Sequence, residues 1–186
     1  MKKETRILGI DDACFDKFND KEALVIATVF RGGSWIDGVM STLVEVDGDD
    51  ATDKIIEMVN RCKFKPQLQC IMLDGIAVAG FNVVDVEKLS IETELPVIVV
   101  MRDYPEFEKI QNTLKKLGQA EKIRLLDKAG KIHKLDNIHI QIFGLDLEKA
   151  KELIKLSSTR SNIPEPVRVA HIIGRGVISG ESRGRA

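Results

Sequence analysis

The stretch Gln69-Cys70-Ile71-Met72-Leu73-Asp74-Gly75 places four apolar residues in a row and closes them with an acid and a glycine. A short continuous apolar run ended by a turn-forming pair is the pattern of a strand buried on both faces. Such a strand belongs in the middle of a largely parallel sheet with helices on both sides. Downstream, residues 96–101 repeat the pattern in Pro96-Val97-Ile98-Val99-Val100-Met101, and residues 85–94 between them read as a helix. Upstream, a helix starts at Asp49 or Asp50 and runs to about residue 63, with Ile55, Ile56 and Val59 as its apolar stripe and Pro66 closing the connection. Strands alternating with helices in this way call for parallel pairing through right-handed crossovers.

Further out, residues 5–10, 23–30 and 34–46 are three β-rich runs separated by the polar stretch 16–22 and by Arg31-Gly32-Gly33. Links this short predict an antiparallel meander. The second half predicts a helix over 106–116, a hairpin with Ala129-Gly130 near its turn, a strand over 138–143 and a helix over 147–155, together elaborating the sheet edge. A last helix begins around Pro164-Glu165-Pro166, because proline suits a first helical turn, and the chain runs out through Gly180 to Ala186 in a Gly/Arg-rich tail. The expected fold class is α/β: a mixed sheet, an antiparallel three-strand meander plus parallel strands, flanked by helices. At 186 residues and 44% hydrophobic composition, a single domain over 1–186 is expected.

Lys plus Arg number 28 against 29 Asp plus Glu, which argues against a protein that coats nucleic acid by bulk charge. The distribution is less even. Acid gathers at Asp11, Asp12, Asp37, Asp47, Asp49, Asp50 and Asp53, while Arg160, Arg168, Arg175, Arg183 and Arg185 crowd the end against Glu165 and Glu181. That asymmetry permits an acidic metal-binding cleft with a basic rim; scattered solvated charges would give the same count. Cys14, Cys62 and Cys70 form no CxxC pair, so reduced, mostly buried thiols are expected rather than disulfides or a zinc site. No apolar stretch approaches the roughly 20 residues of a membrane span, and the start leads into a strand, so a cytoplasmic, non-membrane protein is expected.

Asp11 ends the first strand and Asp74 ends the fourth. A meander followed by a right-handed crossover can set those strands side by side and parallel, so that both carboxylates emerge at one edge. Two carboxylates suffice for a hard cation such as Mg2+ or Mn2+, which keeps waters and takes phosphate oxygens as further ligands. A third acid could come from Asp49, Asp50 or Asp53. Each aspartate is also a residue that ends strands simply by bonding local amides. Asp12 points to the opposite face from Asp11, and Asp37 beside Gly38 reads as a bulge or turn. His133 and His139 read as surface or packing residues, and His171, following the Pro-Glu-Pro helix start, can face the cleft. Trp35, the only tryptophan, is either a packing residue or a surface on which a base stacks.

Taken together, Ile7-Leu8-Gly9-Ile10-Asp11-Asp12, Val46-Asp47-Gly48-Asp49-Asp50-Ala51-Thr52, Leu73-Asp74-Gly75, Gly80-Phe81-Asn82-Val83-Val84-Asp85 and the closing Gly-Glu-Ser-Arg-Gly-Arg-Ala resemble the archaeal family of uncharacterised proteins numbered ninety-nine among domains of unknown function, itself regarded as related to endonuclease V. The resemblance spans nearly the whole chain and implies a ribonuclease H-like, endonuclease V-like fold. It implies that Asp11 and Asp74 bind metal, that Asp50 completes the acidic set and that His171 orients water or a metal ligand. Leu95-Pro96-Val97-Ile98-Val99-Val100-Met101-Arg102 is similar to an endonuclease V strand ending in a basic residue. Pro164-Glu165-Pro166-Val167-Arg168 is similar to a Pro-Glu-Pro-Thr-Arg motif. By that likeness Arg102 and Arg168 contact phosphate. The chain departs from endonuclease V in lacking its Phe-Arg-Glu glutamate and its Tyr-Ile-Pro wedge. The expected function is a Mg2+-dependent endonuclease acting on DNA or RNA, with uracil or hypoxanthine as candidate lesions. The alternative is a nucleic-acid or nucleotide-binding protein without turnover, and a homo-oligomer is compatible with either.

Overall fold

The computed structural model describes residues 2–182, so Arg183 and Arg185 of the expected basic tail lie outside the described residues. The chain opens with β1 (Arg6–Asp12), β2 (Glu22–Arg31) and β3 (Trp35–Glu45), an antiparallel meander as the short links require. Asp37 is its extra residue: Val29 pairs with Gly38 and Phe30 with Ile36, leaving Asp37 as a bulge whose carboxylate takes Arg6 at 2.8 Å and Arg31 at 3.0 Å. The first helix, α1 (Ala51–Asn60), is shorter than expected, since Arg61 already caps it.

After it come β4 (Leu68–Asp74), the small hairpin of β5 (Ala77–Val78) and β6 (Asn82–Val83), α2 (Val86–Thr93) and β7 (Val97–Met101). Asp85 caps α2 by accepting from the Lys88 amide at 3.0 Å. Next are α3 (Phe107–Lys116), α4 (Ile123–Lys128), β8 (His133–Leu135), β9 (Ile138–Phe143), α5 (Leu147–Ser157) and α6 (Glu165–Ser179). The expected hairpin exists, but its turn is not at Ala129-Gly130. Ala129 caps α4, and Asp136 and Asn137 join β8 to β9, with Asp136 taking the positive φ (51°) of the turn. An Ala-Gly pair suits a helix end as well as a hairpin, and only the packing of Leu126 under the β5–β6 hairpin decides between them.

The main sheet has the order β3-β2-β1-β4-β7-β9-β8, with β1, β4 and β7 parallel at its centre. Period-two alternation divides the core. Leu8, Ile10, Ile71, Leu73, Val97 and Val99 face α1 and α2, while Ile7, Cys70, Met72, Ile98 and Val100 face α5 and α6. The continuous apolar runs of the sequence are therefore strands covered on both faces. A third, small cluster packs Val83 of the hairpin against Leu114 of α3 and Leu126 of α4. No helix among the described residues is long and apolar enough to cross a membrane. Cys14, Cys62 and Cys70 are free thiols.

Candidate metal centre

Asp11 and Asp74 continue the rows that face α6, one from Ile7 through Gly9, the other from Cys70 through Met72. Both carboxylates leave the sheet at the same edge and on the same side. What brings the third group to them is the close approach of α6 to β1. A Cβ on Gly9 would stand 2.2 Å from the Pro166 carbonyl carbon, and one on Gly174 would stand 3.0 Å from the Cα of Ala13. Only glycine at the first position admits the helix at this distance. The buried Thr28 hydroxyl donates to the Pro166 carbonyl at 2.7 Å and pins the start of α6 to β2. Between those contacts, His171 places Nδ1 2.8 Å from Oδ2 of Asp11.

One donor atom from each of Asp11, Asp74 and His171 falls within 4.8 Å of the others. Burial pushes the Asp11 carboxyl up to about 7; the hydrogen bond to His171 pulls it back down, and the negative charge of Asp74 adds to the rise. Among the described residues, Nε2 of His171 is buried without a hydrogen-bond partner. Two carboxylates and an imidazole, with one carboxyl pushed towards its uncharged form by burial and, to a lesser degree, by its neighbour's charge, suit a cation better than they suit each other. Asp74 is also met by Arg102, whose Nη1 lies 3.2 and 3.3 Å from its two oxygens. These groups line one open cavity of about 510 Å³ with Asp12, Cys14, Phe15 and Arg175.

The cleft thus brings together Asp11, Asp74, His171 and Arg102 of the residues singled out in the sequence. Asp50, Arg168 and Trp35 stand elsewhere. The Asp50 carboxylate accepts from the Glu45 amide at 3.0 Å and from Nδ2 of Asn82 at 2.7 Å, tying the start of α1 to the small hairpin, and Asp50 makes no side-chain cap of that helix. Arg168 is held by Glu165 at 2.6 Å and lines a separate cavity with Gly33 and Ser34. Trp35 pairs with Arg31, which pairs with Arg6 at the start of β1. Asp11 lies five residue steps along β1 from Arg6, a span of ~17 Å.

Two contributors entered the sequence reading without an individual role, Asp12 among the gathered acids and on the face opposite Asp11, and Arg175 among the arginines of the expected rim. Arg175 lines the cleft because it lies four residues beyond His171 on α6, a helical spacing that was there to be used. Asp12, on the far face of β1 from Asp11, accepts from the Ala79 amide at 2.7 Å, and the Phe81 amide donates to Asp47 at 2.7 Å. The two acids hold the tight turn of the β5–β6 hairpin beside the cleft, and no local signal in the sequence pairs them with it.

A mixed sheet whose central parallel strands release acids at one edge, with a C-terminal helix laid over them, defines an endonuclease V-like α/β fold. The structure of Ciona intestinalis endonuclease V, solved with a 24mer DNA containing an inosine followed by a ribo-adenosine, superposes with a TM-score of 0.59 at 16% identity, covering 89% of this chain and 82% of that one. The crystal structure of a protein of unknown function from Archaeoglobus fulgidus is much nearer, with a TM-score of 0.87 at 42% identity over 93% of this chain and 98% of that one. A UPF0215 protein of Methanothermobacter thermautotrophicus is 51% identical, covering 100% of this chain and 94% of its own length. The model of the endonuclease dU family matches residues 3–178, and the chain belongs to that family.

Proposed function

We propose that this protein is an endonuclease that hydrolyses a phosphodiester bond of nucleic acid with the help of Mg2+ or Mn2+, next to a deaminated base. The observation that carries the reading is the convergence of Asp11, Asp74 and His171 at one sheet edge. The family's description as endonuclease dU favours deoxyuridine as the nucleoside recognised. The inosine-containing DNA bound by the Ciona protein keeps hypoxanthine as the comparison substrate.

Asp11 and Asp74 are the residues that would hold the cation, which when bound supplies charge neutralisation at the scissile phosphate and acidifies water. His171 fixes the Asp11 carboxylate through the 2.8 Å contact, so the ligand's orientation is set before anything binds. Arg102 holds Asp74 only through long contacts of one nitrogen, and its guanidinium fork suits a phosphate better. Arg175 brings a second guanidinium to the same wall. The reading assigns no role at the scissile phosphate to Asp50, Arg168 or Trp35.

The test is nicking of labelled single- and double-stranded DNA and RNA, with and without uracil or hypoxanthine, in Mg2+ or Mn2+. Wild type should cut in a metal-dependent way, and Asp74→Asn should lose at least two orders of magnitude in rate. Tight binding by metal-loaded wild type without any cleavage would instead make it a nucleic-acid-binding protein on the same fold.

A further inference from the structure

The link between β1 and β2 carries Phe18, 84% exposed and the most exposed of the large apolar side chains among the described residues. A single exposed apolar residue is ordinary, but this one is built into place. Asp16 accepts from the Phe18 amide at 2.9 Å and from Nδ2 of Asn19 at 2.7 Å, and Asp20 accepts from the Asp16 amide at 2.8 Å. Two further backbone bonds, from the amides of Asn19 and Asp20 to the Asp16 carbonyl, close the turn. The acids of the link thus bond its own amides, and beside them stand the exposed Phe18 ring and Lys17, whose Nζ sits 4.8 Å from the ring centroid.

The base of the link is fixed as well. The Ala13 amide donates to the Leu24 carbonyl at 2.7 Å, and Cys14 Sγ lies 3.1 Å from the Ser179 hydroxyl at the end of α6. Phe18 and Ile178, itself 52% exposed, line an open hollow of about 660 Å³ together with Asp16, Lys17 and Asp20, and its wall shares Cys14 and Phe15 with the acidic cleft. With the Asp16 and Asp20 carboxylates bonded within the turn, the exposed ring and its neighbouring cation, adjoining a cleft lined by aspartates and arginines, suit a flat base attached to a phosphodiester chain. The other exposed aromatics fit less well. Trp35 is at the far end of β1, with Arg31 over its ring, and Tyr104 is engaged edge-on by Phe107 and His139.

We propose that Phe18 is a stacking platform for an unpaired nucleobase of the strand being cut, with Lys17 meeting the adjoining phosphate. The proposal rests on the nuclease reading given above and adds to it a binding site outside the metal centre. A duplex offers no free base face at this position, so a platform here favours single-stranded or locally opened substrate over intact duplex.

The test is single-stranded DNA carrying 2-aminopurine beside a deoxyuridine, titrated with the full chain without divalent cation, so that binding is read and cleavage is not. Wild type should bind and quench the fluorophore. Phe18→Leu, which keeps apolar bulk and loses the ring, should weaken binding about 5- to 150-fold and lose the quenching, while Phe18→Trp should keep both. Equal affinity and quenching in Phe18→Leu and wild type would overturn the platform and leave the nuclease reading untouched. Wild type that neither binds this strand nor cuts any nucleic acid in Mg2+ would overturn the nuclease reading and the platform with it.

Discussion

Asp11 is nearly buried, lies next to a second carboxylate and is pushed up to about 7 by that burial. A proton and a divalent cation therefore compete for it, and cation affinity should fall about tenfold for each pH unit below 7 while binding releases a proton. The stability of the cation-free protein follows with a definite sign. Because the folded carboxyl holds its proton to higher pH than the ordinary value of 3.8, the native state binds more protons than the unfolded chain between about pH 4 and 7. Stability is therefore lost as pH rises through that window. Asp11→Asn should flatten the dependence, raise the melting temperature in chelator at pH 8, and abolish the stabilisation that Mg2+ or Mn2+ gives the wild type. Thermal melts across pH, with and without cation, check all three. At this scale the sequence was informative where geometry is local. An acid ending an apolar strand must emerge at the sheet edge, which is why Asp11 and Asp74 could be named from the chain alone. Asp50 could not be placed, because its carboxylate is engaged by Asn82, 32 residues away.

The contact of α6 with β1 decides whether His171 reaches Asp11 at all. The Cβ that Gly9→Ala would introduce falls 2.2 to 2.5 Å from backbone and side-chain atoms of Pro166 and Val167, so the helix has to shift as a body. We expect a loss of ~1–3 kcal/mol in stability, the usual penalty of overpacking. A second consequence is specific to the site: the 2.8 Å contact opens, and cation affinity falls even where the protein remains folded. Denaturant unfolding alongside calorimetric titration with Mn2+ separates the two effects; an unchanged affinity would show that α6 does not position the site through this contact. The helix itself was legible from Pro164-Glu165-Pro166, and its partner strand from the run before Asp11. Their close approach was not, since a glycine within a strand reads equally as a bulge or a weak point. The misplaced hairpin turn has the same origin, a local pattern whose outcome is set by packing elsewhere.

Across the whole molecule, the two large cores lie on opposite faces of the sheet, and α3 and α4 form a smaller cluster with the β5–β6 hairpin, joined to the first core through Ala129 at the end of α4 and through the Lys128 pairs with Asp85 and Glu87. The polar anchor of that region is Lys122, 2% exposed, whose Nζ donates to the carbonyls of Asp47, Gly48 and Phe81 at 3.1, 2.7 and 2.9 Å and meets the Asp49 carboxylate at 3.0 Å. Gln119 adds a bond to the Asp47 carbonyl at 2.7 Å. One cation therefore joins three segments that are far apart in the chain: the turn after β3, the hairpin tip and the start of α4. None of this was visible in the sequence, where Lys122 is one of many lysines in the charged stretch between the expected helix over 106–116 and the hairpin, and nothing marks it as buried. Lys122→Met keeps the length of the side chain and removes the Lys122 donor from three carbonyls, of which only that of Asp47 keeps Gln119, so a loss of about 3 kcal/mol is expected. The loss should be uneven, because the central strands owe nothing to this junction. In hydrogen exchange, amides of α3, α4 and the 47–49 and 79–82 turns should lose protection in the variant, while those of β1, β4 and β7 keep theirs. Uniform loss across the sheet would mean that the region folds as one unit with the core, and that the cleft edge beside Asp74 depends on the hairpin more directly than its separate cluster implies.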